Sequence, residues 1–333
     1  MHKEDDFCAN RNGRFHWAQA GFFGASAHPA LFSFHAVLYQ ADGTGARIAR
    51  IVYTTRMLGT NALMNGRLVS PKDLVFPLDD TDITSGYGCY ETLKVRKGLL
   101  YLADWHEERL FASARMLGIR HALVDGQIVR ALSALVDANR LRDCNIKVML
   151  VGRQQRDADW YAFALPALFV PEGGYESGVD CLVWQGERPF PSAKSLSLLQ
   201  SIIAFRAASD RGCWDALLVN RRGEMCEGTR TNIFWQRIEE LDVVYTPPSS
   251  DALEGLTRKL IMEAMAKAGK PIMEQPLRLS EALSGRIAIM LSSTSTIVAP
   301  VARLMDGQSV VTLPKPPAAG ELLELYRSAV AAT

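Results

Sequence analysis

Three dipeptides that end in glycine, each lying between two strand-like runs, most constrain the fold of this 333-residue chain. They are Asn65-Gly66 in ALMNGRLVS, Lys97-Gly98 in LKVRKGLLYL and Arg222-Gly223 in LLVNRRGEMC. Glycine readily adopts the positive φ that short hairpin turns require, so each dipeptide predicts a turn between antiparallel strands. We therefore expect antiparallel pairs in both halves of the chain.

A helix is predicted directly after the second of these hairpins, in DWHEERLFASARMLGI. Asp104 and Glu107 have the spacing of a capping box at its start, and Gly118 is placed to end it. Its apolar face is expected to consist of Leu110, Ala114 and Leu117.

Further helices are predicted at about 126–139, 195–210 and 257–268 and at the C-terminus. Helices and strands are mixed without an internal repeat, which indicates an α/β (α+β) fold. The segment WQGERPFPSAK contains two prolines and predicts a linker at 185–189. We predict a smaller N-terminal α/β domain at 61–184 and a larger C-terminal domain at 190–333. Residues 1–60 form an N-terminal extension of unknown role.

The composition argues against several classes of protein. Hydrophobic residues make up 48% of the chain and the net charge is +1, so neither disorder nor nucleic-acid or membrane-surface binding is expected. No apolar run approaches a membrane span, and the acidic start MHKEDDF does not resemble a secretory signal. Six widely spaced cysteines predict reduced thiols and no metal site. A cytoplasmic location is the expectation.

Four separated features could carry chemistry. They are Lys194 after the proline-rich segment, Glu227 in CEGTRTNIFW, the helix start Gly255-Leu256-Thr257, and the hydroxyl-rich run 292–296. Each alone has an ordinary alternative: a solvated lysine, a polar turn, a threonine cap and a second polar turn. Together they match the needs of pyridoxal phosphate, namely a Schiff-base amine, a carboxylate for the pyridine nitrogen and donors for the phosphate.

The motifs SGYGCYETLKV, HEERLFASARMLGI, KSLSLL, CEGTRTNIFW, GLTRKLI and STSTIVAPV occur in this order. In order and spacing the chain resembles the class IV, fold-type IV pyridoxal phosphate aminotransferases. This family includes branched-chain and D-amino acid aminotransferases and aminodeoxychorismate lyase. The resemblance extends from about Ala62 to Gly307. It implies a cofactor between two domains and a homodimer in which a partner loop helps to close the site.

The resemblance also implies roles for individual residues. Lys194 would form the Schiff base and shuttle the α-proton, and Glu227 would pair with the pyridine nitrogen. Tyr90 would lie near the substrate carboxylate, and Arg153 would bind that carboxylate as in D-amino acid enzymes. The phosphate ligands would be the Arg109 side chain, the backbone amides of Leu256 and Thr257, and donors from Thr294 and Ser295. The ordinary alternative for Arg109 is an ion pair with Glu107 or Glu108.

Departures from the family patterns leave the substrate open. Leu199 stands where branched-chain enzymes usually carry tyrosine, and Ser197 and Gln155 replace an asparagine and a histidine typical of the D-amino acid type. The arginine that usually follows the lysine of the lyase is missing. We therefore expect transfer of an α-amino group from a branched-chain or D-amino acid to a 2-oxo acid such as 2-oxoglutarate, by a ping-pong mechanism. The alternatives are an aminodeoxychorismate lyase-like enzyme and a non-catalytic relative that binds the cofactor.

Overall fold

The computed structural model describes residues 36–41, 47–52, 57–167, 169–171 and 173–331, the first two ranges as backbone only. The chain divides into two compact units, Met1–Tyr53 and Thr54–Thr333. In the first unit, β1 (Ala36–Ala41) and β2 (Arg47–Val52) pair in antiparallel fashion. The prediction for residues 1–60 falls mostly outside the described residues and stays a prediction.

A six-stranded antiparallel sheet opens the second unit, with strand order β4-β3-β8-β7-β5-β6. Its strands are β3 (Leu58–Met64), β4 (Arg67–Val69), β5 (Gly88–Arg96), β6 (Leu99–Leu100), β7 (Cys144–Val151) and β8 (Asp159–Leu165). The helices of this region are a 3₁₀ turn at Pro71–Asp73, α1 (Thr81–Thr84), α2 (Ala103–Met116) and α3 (Gln127–Asn139).

The two predicted hairpin turns in this sheet are confirmed. Asn65 and Gly66 have φ values of 49° and 83° between β3 and β4, and Lys97 and Gly98 have φ values of 51° and 82° between β5 and β6. Both turns therefore use the left-handed conformation that suits a two-residue hairpin loop.

One face of this sheet is covered by α2 and α3. Strand alternation places Leu93 and Val148 in the same apolar cluster as Leu110 of α2 and Leu132 of α3. The alternate positions of β5 and β7, which include Tyr90 and Lys147, lie on the opposite face. That second face is the one that meets the candidate site.

The predicted capping box of α2 is wrong. The N-cap is Leu102 in a left-handed conformation, and no side chain caps the first turn. Glu107 lies one turn into the helix and turns away from this N-terminus. Its carboxylate accepts hydrogen bonds from the backbone N–H groups of Gly126 and Ile128, the latter at 2.8 Å, and so caps α3. The predicted stop at Gly118 is confirmed by its φ of 69° directly after α2.

A ten-stranded mixed sheet forms the rest of the second unit, in the order β14-β13-β12-β16-β17-β9-β10-β11-β15 with β18 paired to β17. Its strands are β9 (Val179–Gln185), β10 (Asp215–Val219), β11 (Glu224–Gly228), β12 (Asn232–Arg237), β13 (Glu240–Thr246), β14 (Met273–Glu274), β15 (Leu277–Arg278), β16 (Ile287–Ser293), β17 (Ile297–Asp306) and β18 (Ser309–Thr312). The helices are α4 (Gly174–Ser177), α5 (Leu199–Asp210), α6 (Leu256–Lys267), α7 (Leu279–Ala282) and α8 (Ala319–Ala331).

The change from one sheet to the other falls between Leu165 and Val179. It precedes the predicted linker at 185–189, because β9 pairs in parallel with β10 and β17 of the larger sheet. The mixed α/β fold class is confirmed, whereas the division into domains at 184 and 190 stays a prediction.

Among the described residues, no helix combines the length and apolarity needed to cross a bilayer. Those residues also contain no cluster of histidine, cysteine, aspartate or glutamate that could hold a metal ion. The five cysteines in the described part are buried and free, and Cys8 lies outside it.

Candidate active site

Lys194 lies on an extended segment that runs against strand β5. The backbone N–H of Tyr90 donates to the carbonyl of Lys194 at 2.9 Å, and the N–H of Leu196 donates to the carbonyl of Gly88 at 2.8 Å. Because these bonds hold the segment in a strand-like conformation, α5 begins only at Leu199. The predicted helix start at 195 is therefore too early, and Lys194 is anchored to the sheet.

The Lys194 side chain is half-buried and lies over Tyr90. Its Nζ is 4.5 Å from the centroid of the tyrosine ring, and its backbone N–H donates to Ser113 Oγ of α2 at 3.1 Å. A second lysine, Lys147 of β7, places its Nζ 5.1 Å from the centroid of the same ring. The structure thus brings the predicted Lys194 and Tyr90 together and adds an amine that the sequence did not point to.

Glu227 is buried on β11 and both carboxylate oxygens have partners. Oε1 accepts from Arg188 Nε at 2.6 Å, and Oε2 accepts from the backbone N–H of Leu253 at 3.0 Å. The Arg188 guanidinium also donates to the carbonyls of Pro191 and Ala193. Arg188 therefore links the carboxylate of Glu227 to the residue that precedes Lys194. Its position in the proline-rich segment, assigned as a linker from the sequence, gave no indication of this role.

The short loop Leu253–Gly255 contacts both Glu227 and Arg109, which mark the two ends of the site. At Leu253 its N–H binds Glu227, and its carbonyl accepts from Asn232 Nδ2 at 2.7 Å. One residue later, the carbonyl of Glu254 accepts from Arg109 Nη1 at 3.1 Å. A carboxylate and an arginine that are distant in sequence are thus held by adjacent residues of one loop.

The start of α6 has the properties of an anion-binding site. Its N-cap is Gly255, no side chain caps its first turn, and Arg109 binds the carbonyl immediately before it. Thr257 Oγ1 in that turn is buried and has no hydrogen-bond partner. Free N–H groups at a helix N-terminus, a nearby guanidinium and an unpaired buried hydroxyl together suit a phosphate group. The residues present therefore fit the predicted cofactor.

The turn Thr294–Ser295 lies between β16 and β17 and reaches the smaller sheet. Ser295 Oγ accepts from Asn145 Nδ2 of β7 at 3.4 Å, while Asn145 Oδ1 is buried without a partner. The turn ends at Ile297, whose φ of 61° is left-handed. This conformation is strained for a β-branched side chain, and such strain concentrates at functional sites.

Arg109 is fixed by Glu91, which is buried on β5. Arg109 Nε and Nη2 donate to the two Glu91 oxygens at 2.7 and 2.8 Å, and His106 Nδ1 lies 2.7 Å from Glu91 Oε2. Burial would raise the pKa of Glu91, but Arg109 and His106 hold that pKa below its usual range. Burial lowers the pKa of His106 against the opposing effect of Glu91. The predicted alternative, a surface pair with Glu107 or Glu108, does not form.

Arg153 is engaged with carboxylates of the chain itself. Its Nη1 donates to Asp80 at 2.8 and 2.9 Å, and its Nε donates to Asp159 at 2.8 Å. Although burial opposes it, hydrogen bonds to Asp159 and Asp80 raise the pKa of Arg153 above its ordinary value. Arg153 also lines a cavity of about 430 Å³, whose lining does not include Lys194, Tyr90 or Glu227. Its predicted role as a carboxylate ligand stays a prediction.

Gly255→Ala is expected to damage the loop that joins the two ends of the site. The backbone conformation there (φ −68°, ψ 136°) suits alanine, but a Cβ would lie 1.9 Å from Asn232 Oδ1. Displacing Asn232 should cost about 1–3 kcal/mol in the free energy of unfolding and should weaken cofactor retention. Urea unfolding and cofactor content measure the two effects. Gly320→Ala, in α8 with nothing within 4 Å, is the matched control, and equal behaviour of the two variants would contradict the prediction.

Comparison with known proteins gives the family. Residues 88–304 match the model of amino-transferase class IV. D-alanine aminotransferase of Bacillus licheniformis is 27% identical over 258 residues, covering 74% of this chain and 89% of that protein. Aminodeoxychorismate lyase of Bacillus subtilis is 26% identical over 248 residues, covering 71% and 84%.

The fold is also shared with solved structures. The branched-chain aminotransferase of Thermoproteus uzoniensis, solved with norvaline, superposes with a TM-score of 0.71 at 23% identity, covering 82% of this chain and 95% of that one. This likeness confirms the fold-type IV architecture. Since the family model also spans most of the chain, including Lys194, Glu227 and the start of α6, the chain belongs to the class IV aminotransferases, which are pyridoxal phosphate-dependent enzymes.

Proposed function

We propose that this chain transfers the α-amino group of a branched-chain or D-amino acid to a 2-oxo acid such as 2-oxoglutarate by a ping-pong mechanism. The observation that carries the proposal is the loop Leu253–Gly255. It holds the Glu227 carboxylate at one residue and Arg109 at the next, while Arg188 ties Glu227 to the segment of Lys194. This arrangement supports a site that binds one end of the cofactor through a carboxylate and the other through an arginine.

Pyridoxal phosphate, when bound, supplies a carbonyl carbon that carries the amino group and a ring that accepts electrons. The chain's residues would hold and serve that group. The Arg109 side chain, the amides of Leu256 and Thr257, and donors from Thr294 and Ser295 would bind the phosphate. Glu227, kept in place by Arg188, would accept a hydrogen bond from the protonated pyridine nitrogen.

Lys194 would have the covalent and the proton-transfer roles. Its Nζ, above Tyr90, would bond to the cofactor carbonyl carbon, from which the oxygen leaves as water, until the amine of an amino acid replaces it. The released neutral amine would then take the α-proton of the substrate and return it to the cofactor carbon. Tyr90 would form one wall of the space in which this transfer occurs. Its distance from Lys194 supports that placement.

An aminodeoxychorismate lyase is the second candidate, since the chain is 26% identical to the enzyme of Bacillus subtilis. It would share the cofactor site, and release of pyruvate from aminodeoxychorismate without an acceptor would distinguish it. A non-catalytic relative is disfavoured because Lys194 and Glu227 are both present. The homodimer and the cytoplasmic location belong to the same proposal. The first rests on the resemblance to the family, and the second on the composition and the cysteine pattern of the sequence.

The proposal predicts a visible absorption band of the lysine-linked cofactor that a suitable amino acid converts to the pyridoxamine form. The experiment adds a panel of L- and D-amino acids to the purified holoenzyme and records spectra. Conversion by L-leucine would indicate the branched-chain type, and conversion by D-alanine the D-amino acid type. A band that no amino acid converts would contradict the transferase assignment, and the absence of any band after addition of pyridoxal phosphate would contradict the role of Lys194.

A further inference from the structure

An aminotransferase must hold the carboxylate of its substrate within a few bonds of the lysine that moves the α-proton. The residue predicted for this task, Arg153, already binds Asp80 and Asp159 through its Nη1 and Nε groups. Another cation near Lys194 is therefore a second candidate for this task. In the described part of the chain, Lys147 combines proximity to the site with the lack of an ion-pair partner.

Lys147 is directed to the site by the pairing of β5 and β7. Tyr90 lies opposite Met149 and Thr92 opposite Lys147, so Lys147 is a diagonal neighbour of Tyr90 on the same face. Its Nζ approaches to 5.1 Å from the ring centroid over which Lys194 Nζ lies at 4.5 Å. Two amines on different strands thus flank one aromatic ring.

The neighbouring positions set the limits of the site. Asn145, two residues before Lys147 on β7, binds Ser295 in the turn proposed for the phosphate. Lys94 lies opposite Asn145, whereas Thr92 lies opposite Lys147. Lys94 is therefore further from Tyr90 along β5 than Thr92 is. Along the strands, Lys147 is consequently placed between Tyr90, over which Lys194 lies, and the contact of Asn145 with Ser295.

The electrostatic state of Lys147 agrees with a site for an anion. It is half-buried, and among the described residues no carboxylate forms an ion pair with it. Burial lowers the pKa of its ammonium group, Tyr90 opposes that shift, and the charge of Lys194 adds to it. A half-buried ammonium without a counter-ion carries a desolvation cost, which a bound carboxylate would offset.

We propose that Lys147 binds the α-carboxylate of the amino acid substrate and orients its α-carbon toward Lys194. This inference rests on the proposed aminotransferase function and adds the residue that selects amino acids over simple amines. A charged hydrogen bond of this kind should tighten binding of a carboxylate-bearing substrate by about 10- to 100-fold.

The test compares Lys147→Met with Lys147→Arg in the holoenzyme. The apparent dissociation constants of D-alanine and ethylamine, or of L-leucine and 3-methylbutylamine, are taken from the change in the cofactor spectrum. Each amine is the amino acid without its carboxylate. In Lys147→Met we expect the amino acid to bind about 10- to 100-fold more weakly, with the amine unaffected. Lys147→Arg should recover part of the loss, and the cofactor content of both variants should equal that of the parent.

Each of the following results would overturn the proposal. Equal weakening of amino acid and amine would mean that Lys147 supports the site only through packing on Tyr90. Loss confined to glutamate and aspartate would assign Lys147 to a distal carboxylate, and loss of cofactor would assign it to the phosphate. If the parent enzyme converts no amino acid, the proposed function fails and this inference with it. Conversion by the parent with unchanged affinity in Lys147→Met overturns this inference alone.

Discussion

Lys194→Ala is expected to abolish amino-group transfer while leaving the protein folded. The substitution removes both the amine that bonds to the cofactor and the base that moves the α-proton, and a positioned base alone contributes about 10²- to 10⁴-fold in rate. Stability should change little, because the bonds of this segment to β5 and Ser113 come from the backbone. Loss of transfer is measured by single-turnover conversion of the cofactor, and loss of the lysine–cofactor bond by the visible band. The unchanged stability is measured by the thermal unfolding midpoint.

Lys194→Arg distinguishes the effect of the positive charge at this position from the effect of an amine that can lose its proton. A guanidinium keeps a positive charge near Tyr90, but it stays protonated and cannot act as a neutral amine. It should therefore be as inactive as Lys194→Ala. Lys267→Ala, at an exposed position in the last turn of α6, is the control and should keep full activity. Retention of transfer by Lys194→Arg would contradict the assignment.

Local features of the fold could be predicted from the sequence because local chemistry determines them. The turn at Asn65-Gly66 needs two residues with positive φ, and the Asn-Gly pair adopts that conformation readily. The helix predicted at 126–139 is observed at Gln127–Asn139, since its apolar residues recur with helical spacing. Glu107 was misassigned because its partners belong to the next helix, about 20 residues later.

The side chains that hold the site residues in place could not be predicted from the sequence, because strand pairing and loop packing bring them together. Arg188 and Glu227 are 39 residues apart, and Arg109 and Glu91 are 18 apart on different elements. Lys147 faces Tyr90 only through the register between β5 and β7. One signal was available in the sequence: Glu91 occupies a position on β5 that shares a face with apolar Cys89 and Leu93. A charged residue at such a position indicates a buried partner.

For Arg153, the sequence pattern suggests a role but does not identify the partner of the side chain. An arginine after a buried strand matches a carboxylate-binding role in the family pattern, but the pattern does not reveal which carboxylate it meets. In the structure Arg153 binds Asp80 and Asp159, and its role toward a substrate carboxylate stays a prediction. The aspartates come from the loop before α1 and from the start of β8, so the competition arises from tertiary structure alone.

Glu227→Gln is expected to reduce amino-group transfer by about 10²-fold, by removing a fixed charge from the pyridine end of the site. The amide keeps the shape of the side chain, but it cannot stabilise a protonated ring nitrogen as a carboxylate does. The change should also cost about 3 kcal/mol in the free energy of unfolding, because Arg188 would lose a counter-ion at a largely buried position. Single-turnover kinetics and urea unfolding measure the two losses.

The pair Glu227→Gln and Arg188→Met separates the chemical effect from the structural one. Removing both charged partners avoids an unpaired buried charge, so the double variant should regain much of the stability. It should remain as slow as Glu227→Gln, since the negative charge near the cofactor is still missing. Glu224→Gln, three residues earlier on the same strand and bonded to Asn220 and Arg222, is the matched control and should keep its activity. Recovery of both stability and rate in the double variant would show that Glu227 only neutralises Arg188 and has no role at the pyridine nitrogen.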